Sequence, residues 1–181
     1  MSDPDANAPE EVMWEGRFVI AKKKGRWEYV SRARDIRAAV ILAIDHDDKV
    51  ILVEQYRVPL GRRCIELPAG LIGDDDSAKD EQATAAAARE LEEETGYRAG
   101  RLELIGDFYS SPGMVSESFS LIRAFDLERV SEGGGTEHED ITVHHVPLAG
   151  IGHFIETHRN DGKAIDVRLL MLLGQDILGR A

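Results

Sequence analysis

Residues 89 to 97 read Arg-Glu-Leu-Glu-Glu-Glu-Thr-Gly-Tyr, and this stretch predicts a helix with a dense acidic strip. On a helix that turns by about 100° per residue, Glu90, Glu93 and Glu94 fall within an arc of about 100°, whereas Glu92 points to the far side. Like charges this close repel one another unless a cation neutralises them, and clustered carboxylate oxygens suit Mg²⁺ or Mn²⁺. The stretch therefore predicts a divalent metal site. The alternative is a solvated acidic helix face, which is what most runs of glutamate form.

The residues on either side of this run follow the spacing of a known motif. Gly96 follows a helix that we predict over residues 78–95, at the position where a left-handed glycine commonly ends a helix. Seven residues separate Glu81 from Arg89. The pattern resembles the second half of the Nudix box, in which a glutamate and seven residues precede Arg-Glu-apolar-any-Glu-Glu-any-Gly-apolar. The chain matches this half at every position.

The first half of the motif departs from the family. Gly70 is the natural counterpart of the box glycine, but ten residues separate it from Glu81 where the family has five. We interpret residues 73–79 as containing a surface insertion of about five residues, which loops tolerate at small entropic cost. Because Glu81 lies about 180° around the helix from Glu90, we expect it to have a structural role rather than to bind metal.

The composition restricts the class of protein. With 181 residues and 43% hydrophobic content, the chain can bury one good core, so we predict a flexible tail over residues 1–11 and one globular domain over 12–181. A net charge of −12 disfavours binding to nucleic acid or to an anionic membrane. Cys64 is the single cysteine, which excludes an internal disulfide and favours a reducing compartment. Since no signal or membrane-spanning pattern is present, we expect a cytoplasmic protein.

Hydrophobic patterning predicts an α/β fold in which strands are interleaved with a few helices. The predicted strands cover residues 17–21, 26–31, 37–44, 49–57, 63–67, 101–109, 118–125 and 141–146. Two further helices are predicted over residues 148–158 and 164–178. The core face predicted for the first helix consists of Thr84, Ala87, Ala88, Leu91 and Thr95. This order gives a mixed sheet covered by helices on both faces, and the family resemblance implies the Nudix-type α/β/α sandwich.

Beyond the box, the chain resembles the ADP-ribose pyrophosphatase branch of the Nudix family. The strand that ends in Gln-Tyr-Arg resembles one whose arginine contacts substrate phosphate, which implies this role for Arg57; guanidinium groups match phosphate oxygens well. The Pro-Ala-Gly segment before the box implies that the backbone carbonyl of Ala69 joins Glu90 and Glu94 in binding the metal. The cofactor implied is Mg²⁺, with Mn²⁺ as an alternative.

Two further segments resemble the substrate-binding parts of this branch. Ser111, Pro112 and Gly113, followed by Glu117, resemble a loop that lines the substrate pocket, although sequence alone would predict a plain turn. The resemblance also makes Trp27, or Trp14, a candidate platform for the adenine base, with core or interface packing as the alternative. In this branch the early strands often exchange between subunits, so we expect a homodimer.

The acidic segment at residues 137–140 resembles the loop that supplies a catalytic glutamate and an additional metal ligand in this branch. Glu137 and Glu139 are therefore candidate catalytic residues together with Glu93, and Glu139 is also a candidate metal ligand. The sequence does not distinguish the roles of these glutamates. The three glycines at 133–135 are predicted to form a mobile loop tip.

Together these resemblances imply metal-dependent hydrolysis of the pyrophosphate bond of ADP-ribose or a related nucleoside-diphosphate sugar. ADP-ribose would give AMP and ribose 5-phosphate, without a covalent enzyme intermediate. One alternative keeps this chemistry but acts on GDP-mannose or a dinucleoside polyphosphate. Another is a non-catalytic sensor that binds ADP-ribose, which the intact set of Glu90, Glu93 and Glu94 disfavours.

Overall fold

The computed structural model describes residues 4–33, 36–73, 82–136 and 139–174. Within these residues the strands are β1 (Glu10–Glu15), β2 (Val19–Lys24), β3 (Trp27–Arg32), β4 (Arg37–Ala43), β5 (Lys49–Arg57), β6 (Arg62–Glu66), β7 (Ala69–Ile72), β8 (Tyr97–Tyr109), β9 (Ser118–Arg129), β10 (Thr142–Pro147) and β11 (Ala164–Ile165). The helices are α1 (Ala83–Thr95) and α2 (Ile151–Asn160), with 3₁₀ turns at Val58–Leu60, Leu148–Gly150 and Val167–Met171. None of the helices in these ranges is long and apolar enough to cross a membrane.

The described strands form three sheets. Two four-stranded sheets have the orders β7-β4-β9-β8 and β10-β5-β6-β11, and β1-β2-β3 form a separate sheet. Both four-stranded sheets are mixed, because β4 runs parallel to β9 and β6 runs parallel to β11, whereas their other pairs are antiparallel. The predicted mixed sheet is therefore confirmed.

The two helices cover opposite sides of these strands. Because side chains alternate along a strand, Val40 of β4 packs in a core with α2, whereas Ile41 packs in a second core with α1. Ile155 of α2 is 4% exposed and Leu91 of α1 is fully buried. This layering agrees with the predicted α/β/α sandwich.

The helix predicted over residues 164–178 is wrong in the part that the structure describes. Its first two residues form β11, which pairs in parallel with β6. The Asp166 carboxylate then accepts a hydrogen bond from the Arg168 backbone N–H at 2.8 Å, and this local bond favours a turn over a continuing helix. A 3₁₀ turn follows. Residues 175–181 lie outside the described chain.

The buried face of α1 also differs from the prediction. Three of the five predicted positions are buried, but Ala88 is exposed, and Ala86 and Glu94 are buried instead. The reason is that α1 contacts β7 as well as β8 and β4, so its buried face includes part of the acidic strip. The helix begins at Ala83. Residues 74–81 are not described, so the start predicted at residue 78, most of the proposed insertion and Glu81 lie outside the described chain.

Folded structure begins earlier than the predicted tail boundary. β1 starts at Glu10 and pairs with β2. Before it, the Asp5 carboxylate accepts a hydrogen bond from Arg26 Nε at 2.8 Å. Part of the segment predicted as a tail is therefore attached to the N-terminal sheet.

A buried carboxylate holds three strands together. Glu54 of β5 is 5% exposed, and its carboxylate is hydrogen-bonded to Lys163 Nζ at 2.7 Å, Arg63 Nε at 2.7 Å and His144 Nε2 at 3.0 Å. Burial alone would raise the pKa of Glu54, but the hydrogen bonds from Lys163, His144 and Arg63 outweigh burial and lower it to about 2. The ionised carboxylate therefore connects β5 to β6 and β10.

Glu54→Gln should destabilise the protein at neutral pH and much less at acidic pH. A folded-state pKa of about 2, against 4.5 for an ordinary glutamate, corresponds to roughly 3 kcal/mol that is present above the unfolded pKa and is lost as the pH falls towards the folded one. Urea unfolding at about pH 7 and about pH 3 measures this difference. Glu103→Gln, at an exposed pair with Arg101, is the matched control. An equal deficit for Glu54→Gln at both pH values would contradict the assignment.

Candidate metal and substrate site

The acidic strip of α1 lies against β7, the strand that precedes the helix. The Ala69 backbone N–H donates a hydrogen bond to Glu94 Oε2 at 3.0 Å, and Glu94 is only 3% exposed. Glu93 is more exposed, with one carboxylate oxygen 3.4 Å from Arg89 Nη1. Glu92 points away from this face and pairs with Arg98, as helical periodicity predicts.

Burial perturbs two carboxylates on this face. It raises the pKa of Glu94 to about 8, and the negative charges of Glu90 and Glu139 act in the same direction, against the Ala69 N–H and Arg57. Burial also raises the pKa of Glu90, although Arg89 Nη1 donates to its Oε1 at 2.7 Å. Carboxylates that are buried and incompletely neutralised are stabilised in their ionised form by an added cation.

Gly70 permits the close approach of Glu90 to β7. A Cβ built on Gly70 would lie 1.9 Å from Glu90 Cδ and 2.0 Å from Glu90 Oε1. These distances are far inside van der Waals contact, so any side chain at this position would displace the Glu90 carboxylate. The glycine is required by the space that Glu90 occupies.

The glycines at 133–135 attach the acidic segment to the end of α1. The Gly134 N–H donates to the Glu94 carbonyl at 2.9 Å, and the Gly135 N–H donates to the Glu93 carbonyl at 3.0 Å. These carbonyls lie in the last turn of the helix, where intrahelical donors are missing. The glycines are therefore bonded to α1 rather than forming the free loop tip that the sequence predicts.

Glu139 follows these glycines and lies near the acidic strip. Its charge raises the pKa values of both Glu90 and Glu94. Its Oε2 accepts hydrogen bonds from the Thr136 backbone N–H at 2.9 Å and the Thr136 hydroxyl at 3.1 Å. Glu139 is thus within electrostatic reach of the helix carboxylates, but the ligand atoms of Glu90, Glu94 and Glu139 do not all lie within 4.8 Å of one another. Glu137 lies outside the described residues.

The donors on this face fit a hard divalent cation. The carboxylates of Glu90, Glu94 and Glu139 offer the oxygen ligands that Mg²⁺ and Mn²⁺ prefer, and burial leaves Glu90 and Glu94 short of positive charge. Ala69 is next to Glu94, but the contact is made by its N–H, and the predicted role of its carbonyl stays a prediction.

A second group of potential metal ligands has a different character. Ligand atoms of Glu54, His144 and His158 lie within 4.8 Å of one another. However, Lys163 and Arg63 already donate to the Glu54 carboxylate, so a cation there would have to displace an existing ion pair. This group is best described as a structural ion-pair cluster.

Arg57 is held by a buried carboxylate. Its Nε and Nη2 donate to the two carboxylate oxygens of Glu66 at 2.6 and 2.7 Å, and Glu66 is 2% exposed. Arg168 Nη2 approaches the same carboxylate at 3.4 Å. The Arg57 side chain is 40% exposed, so its guanidinium is fixed on one side and accessible on the other. Its charge also acts on Glu94, which places it towards the acidic strip.

A cleft of about 390 Å³ contains several of the predicted substrate-binding residues. Trp27, Pro112 and Gly113 line it, with Lys24 and Tyr29 among its other walls. An aromatic wall next to a basic side chain suits a planar, anionic ligand.

Ser111 and Glu117, the other two residues predicted to line the pocket, instead form bonds that hold the loop and β3 in place. Glu117 forms an ion pair with Arg32 of β3. The Ser111 carbonyl accepts the N–H groups of Met114 and Val115 at 2.9 Å, which closes the turn. Neither residue lines the cleft that contains Trp27.

The N-terminal sheet is hydrogen-bonded to the Ser-Pro-Gly loop. The Val30 N–H of β3 donates to the Met114 carbonyl at 3.0 Å, and the Ser116 N–H donates back to the Val30 carbonyl at 3.0 Å. The hydroxyls of Ser31 and Ser116 are 2.8 Å apart. These bonds attach the N-terminal sheet to the Ser-Pro-Gly loop of the same chain.

Three supporting residues are not identified by sequence reasoning: Glu66, Arg89 and Arg168. Arg89 is part of the quoted stretch and Glu66 lies just before the Pro-Ala-Gly segment, so their positions can be read from the sequence, but their partners cannot. Arg168 has no local signal, because it meets Glu66 across 102 residues of chain.

The sequence matches a protein family and several known proteins. The family model of the NUDIX domain matches residues 34–165. The chain is 41% identical over 95 residues to the ADP-ribose pyrophosphatase of Bacillus subtilis, which covers 52% of this chain and 49% of that protein. It is 36% identical over 103 residues to the methanol dehydrogenase activator of Bacillus methanolicus, which covers 57% and 53%. The matched region is thus about half the length of each relative.

Two other matches extend further along the chain. The GDP-mannose pyrophosphatase of Cronobacter sakazakii is 37% identical over 161 residues, covering 77% of this chain and 80% of that protein. A crystal structure of an ADP compounds hydrolase superimposes with a TM-score of 0.68 at 24% identity, covering 96% of this chain and 94% of that one. The structural match shows a shared fold.

Gly70→Ala should weaken divalent-metal binding with little loss of folding stability. The new Cβ would displace the Glu90 carboxylate, which is the flexible end of a side chain and can move away at small cost. We expect at least about a tenfold lower Mn²⁺ affinity, roughly 1.4 kcal/mol, by calorimetric titration. Gly150→Ala is the matched control, because an added Cβ there meets nothing within 4 Å. Unchanged Mn²⁺ affinity in Gly70→Ala would remove Glu90 from the metal site.

Proposed function

Because the chain belongs to the Nudix hydrolase family, we propose that it hydrolyses the pyrophosphate bond of ADP-ribose or a related nucleoside-diphosphate sugar. ADP-ribose would yield AMP and ribose 5-phosphate. The observation that carries the proposal is the pair of carboxylates of Glu90 and Glu94, whose pKa values burial raises, with the charge of Glu139 acting in the same direction. A solvated acidic helix face would not contain a glutamate that is 3% exposed.

We propose Mg²⁺ as the cofactor, with Mn²⁺ as a substitute. The carboxylates of Glu90, Glu94 and Glu139 and the carbonyl of Ala69 would hold it. When bound, the cation neutralises diphosphate charge and makes water more acidic. A carboxylate within hydrogen-bond reach of the attacking water must then orient it and accept its proton. Glu93, Glu137 and Glu139 are the candidates for this role.

The substrate would span the acidic strip and the Trp27 cleft. Arg57 would bind a phosphate oxygen with the accessible side of its guanidinium, while Glu66 keeps the group in position. Trp27 would stack on the base, with Pro112 and Gly113 forming the facing wall. Ser111 and Glu117 would act by shaping this loop, since their observed bonds are within the loop and to β3.

A second candidate substrate is GDP-mannose. The alignment with the GDP-mannose pyrophosphatase of Cronobacter sakazakii covers a larger share of this chain than the alignment with the ADP-ribose pyrophosphatase of Bacillus subtilis. The catalytic groups would be the same, because both substrates contain a diphosphate linked to a nucleoside and a sugar. Two further alternatives are hydrolysis of dinucleoside polyphosphates and a non-catalytic role as an ADP-ribose sensor. The assay described below distinguishes both from the leading proposal.

We also propose that the protein is a homodimer in the cytoplasm. Large apolar side chains of the N-terminal sheet and its turns are exposed to solvent by 57% to 63% of their area: Val12, Met13, Trp14 and Phe18. Several exposed large apolar side chains on one small sheet are typical of an interface.

A panel of ADP-ribose, GDP-mannose, other nucleotide sugars and dinucleoside polyphosphates tests the function. We expect release of AMP from ADP-ribose with Mg²⁺ or Mn²⁺ and none with EDTA, with products identified by chromatography. Glu93→Gln and Glu94→Gln should each lower kcat at least about a hundredfold, whereas Arg57→Ala should mainly raise KM, because it removes a binding contact. Glu92→Gln, on the far side of α1, is the control. Wild-type turnover in both Gln variants would refute the mechanism, and binding without turnover would favour the sensor.

Light scattering after size exclusion tests the dimer. We expect a mass of twice the 20.1 kDa chain. Trp14→Glu should shift the protein towards monomer, because it places a charge in the proposed apolar interface. His46→Glu, at an exposed turn between β4 and β5, should leave the mass unchanged. A monomeric wild type at micromolar concentration would contradict the proposal.

A further inference from the structure

Arg63 is the residue that connects the buried Glu54 cluster to the acidic segment. It lies on β6, and β5 separates β6 from β10 in the sheet. Its Nε donates to Glu54 Oε1 at 2.7 Å, and its Nη2 donates to the Glu54 carbonyl at 3.0 Å. One side of the guanidinium is therefore fixed on β5.

The other side of the guanidinium holds the residues just before β10. Arg63 Nη1 donates to Asp140 Oδ2 at 2.8 Å, and Nη2 donates to the Asp140 carbonyl at 3.1 Å. Nη2 also approaches the Thr142 hydroxyl at 3.4 Å. Side chain and backbone of Asp140 are thus both bound, across 77 residues of chain.

The magnitude of these contacts indicates a positional role. The Asp140 side chain is 89% exposed, and an exposed ion pair contributes little to stability. Its geometric effect is larger, because Glu139 is the next residue and its charge acts on Glu90 and Glu94. Gly134 and Gly135, which precede the acidic segment, are bonded to α1, and Arg63 attaches Asp140 to the sheet.

We propose that Arg63 is a positioning residue that holds Asp140 and thereby keeps Glu139 beside Glu90 and Glu94. The inference rests on the proposed function for the role of Glu139. The placement of the segment itself does not depend on that function. The competing explanation is that Arg63 only neutralises buried Glu54.

Two variants separate these explanations. Arg63→Lys keeps a positive charge for Glu54, but a single ammonium group cannot bond Glu54 and the Asp140 carbonyl and carboxylate together. Asp140→Ala keeps the Glu54 pair and removes only one contact of an exposed side chain, so it leaves the fold intact. Arg98→Ala is the matched control, because its exposed pair with Glu92 is on the far side of α1.

Hydrogen exchange of the metal-free protein in EDTA tests the holding role without turnover. The reporting amides are those of Glu139, bonded to the Thr136 carbonyl, and Ile141, bonded to the Gly134 carbonyl. Millisecond quenched-flow exchange should be at least about fivefold faster at these amides in Arg63→Ala and Arg63→Lys, and unchanged in Arg98→Ala. Wild-type exchange in both Arg63 variants would overturn the inference, whether or not the protein hydrolyses any substrate in the panel.

Steady-state kinetics then test the consequence for Glu139. We expect Arg63→Ala and Arg63→Lys to lower kcat about 10- to 100-fold with KM within about threefold, because small misplacement of a catalytic group costs this much. Asp140→Ala should lower kcat less than either Arg63 variant does. In a Glu139→Gln background, Arg63→Ala should cause no further loss. Full rescue by Arg63→Lys, or additive losses with Glu139→Gln, would show that Arg63 acts only through Glu54.

Discussion

The burial of Glu94 beneath β7 is the constraint on which the site depends. A carboxylate withdrawn from water is unfavourable unless it is hydrogen-bonded and paired, and the Ala69 N–H supplies a bond but no full charge. Burial without a full compensating charge therefore raises the pKa of Glu94 to about 8. Gly70 then allows Glu90 to add a second carboxylate at the same place. Folding thus prepares a group of carboxylates that a divalent cation can hold in their ionised form.

Buried glutamates in this protein have opposite electrostatic states. Glu54 is surrounded by Lys163, Arg63 and His144, and its pKa falls to about 2, whereas the pKa of Glu94 rises to about 8. The difference comes from partners, since both side chains are at most 5% exposed. The paired glutamate stabilises the sheet. The incompletely paired one is available for ligand binding, at some cost in folding stability.

The site is assembled by parts of the chain that are distant in sequence. The end of α1 binds the glycines at 133–135, the hairpin of β5 and β6 orients Arg57 and Arg63, and β3 attaches to the Ser-Pro-Gly loop. The glycines are held by backbone groups alone and Arg57 by side-chain bonds alone, whereas β3 and Arg63 use both kinds. The acidic strip, the phosphate-facing arginine and the aromatic cleft therefore keep fixed positions on a rigid pair of sheets, which favours accurate placement of reacting groups.

Helix and strand periodicity were sufficient to predict the mixed α/β fold and the common face of Glu90, Glu93 and Glu94, because both are local patterns. The family motif was readable for the same reason. The described part of the helix predicted over residues 164–178 was wrong because β11 forms only by pairing with β6. The Arg57 partner, Glu66, and the partners of Arg63 were also hidden. Sequence determined which chemical groups are present, and tertiary structure decided which of them are buried, paired or left to bind a ligand, since burial and pairing depend on contacts between distant parts of the chain.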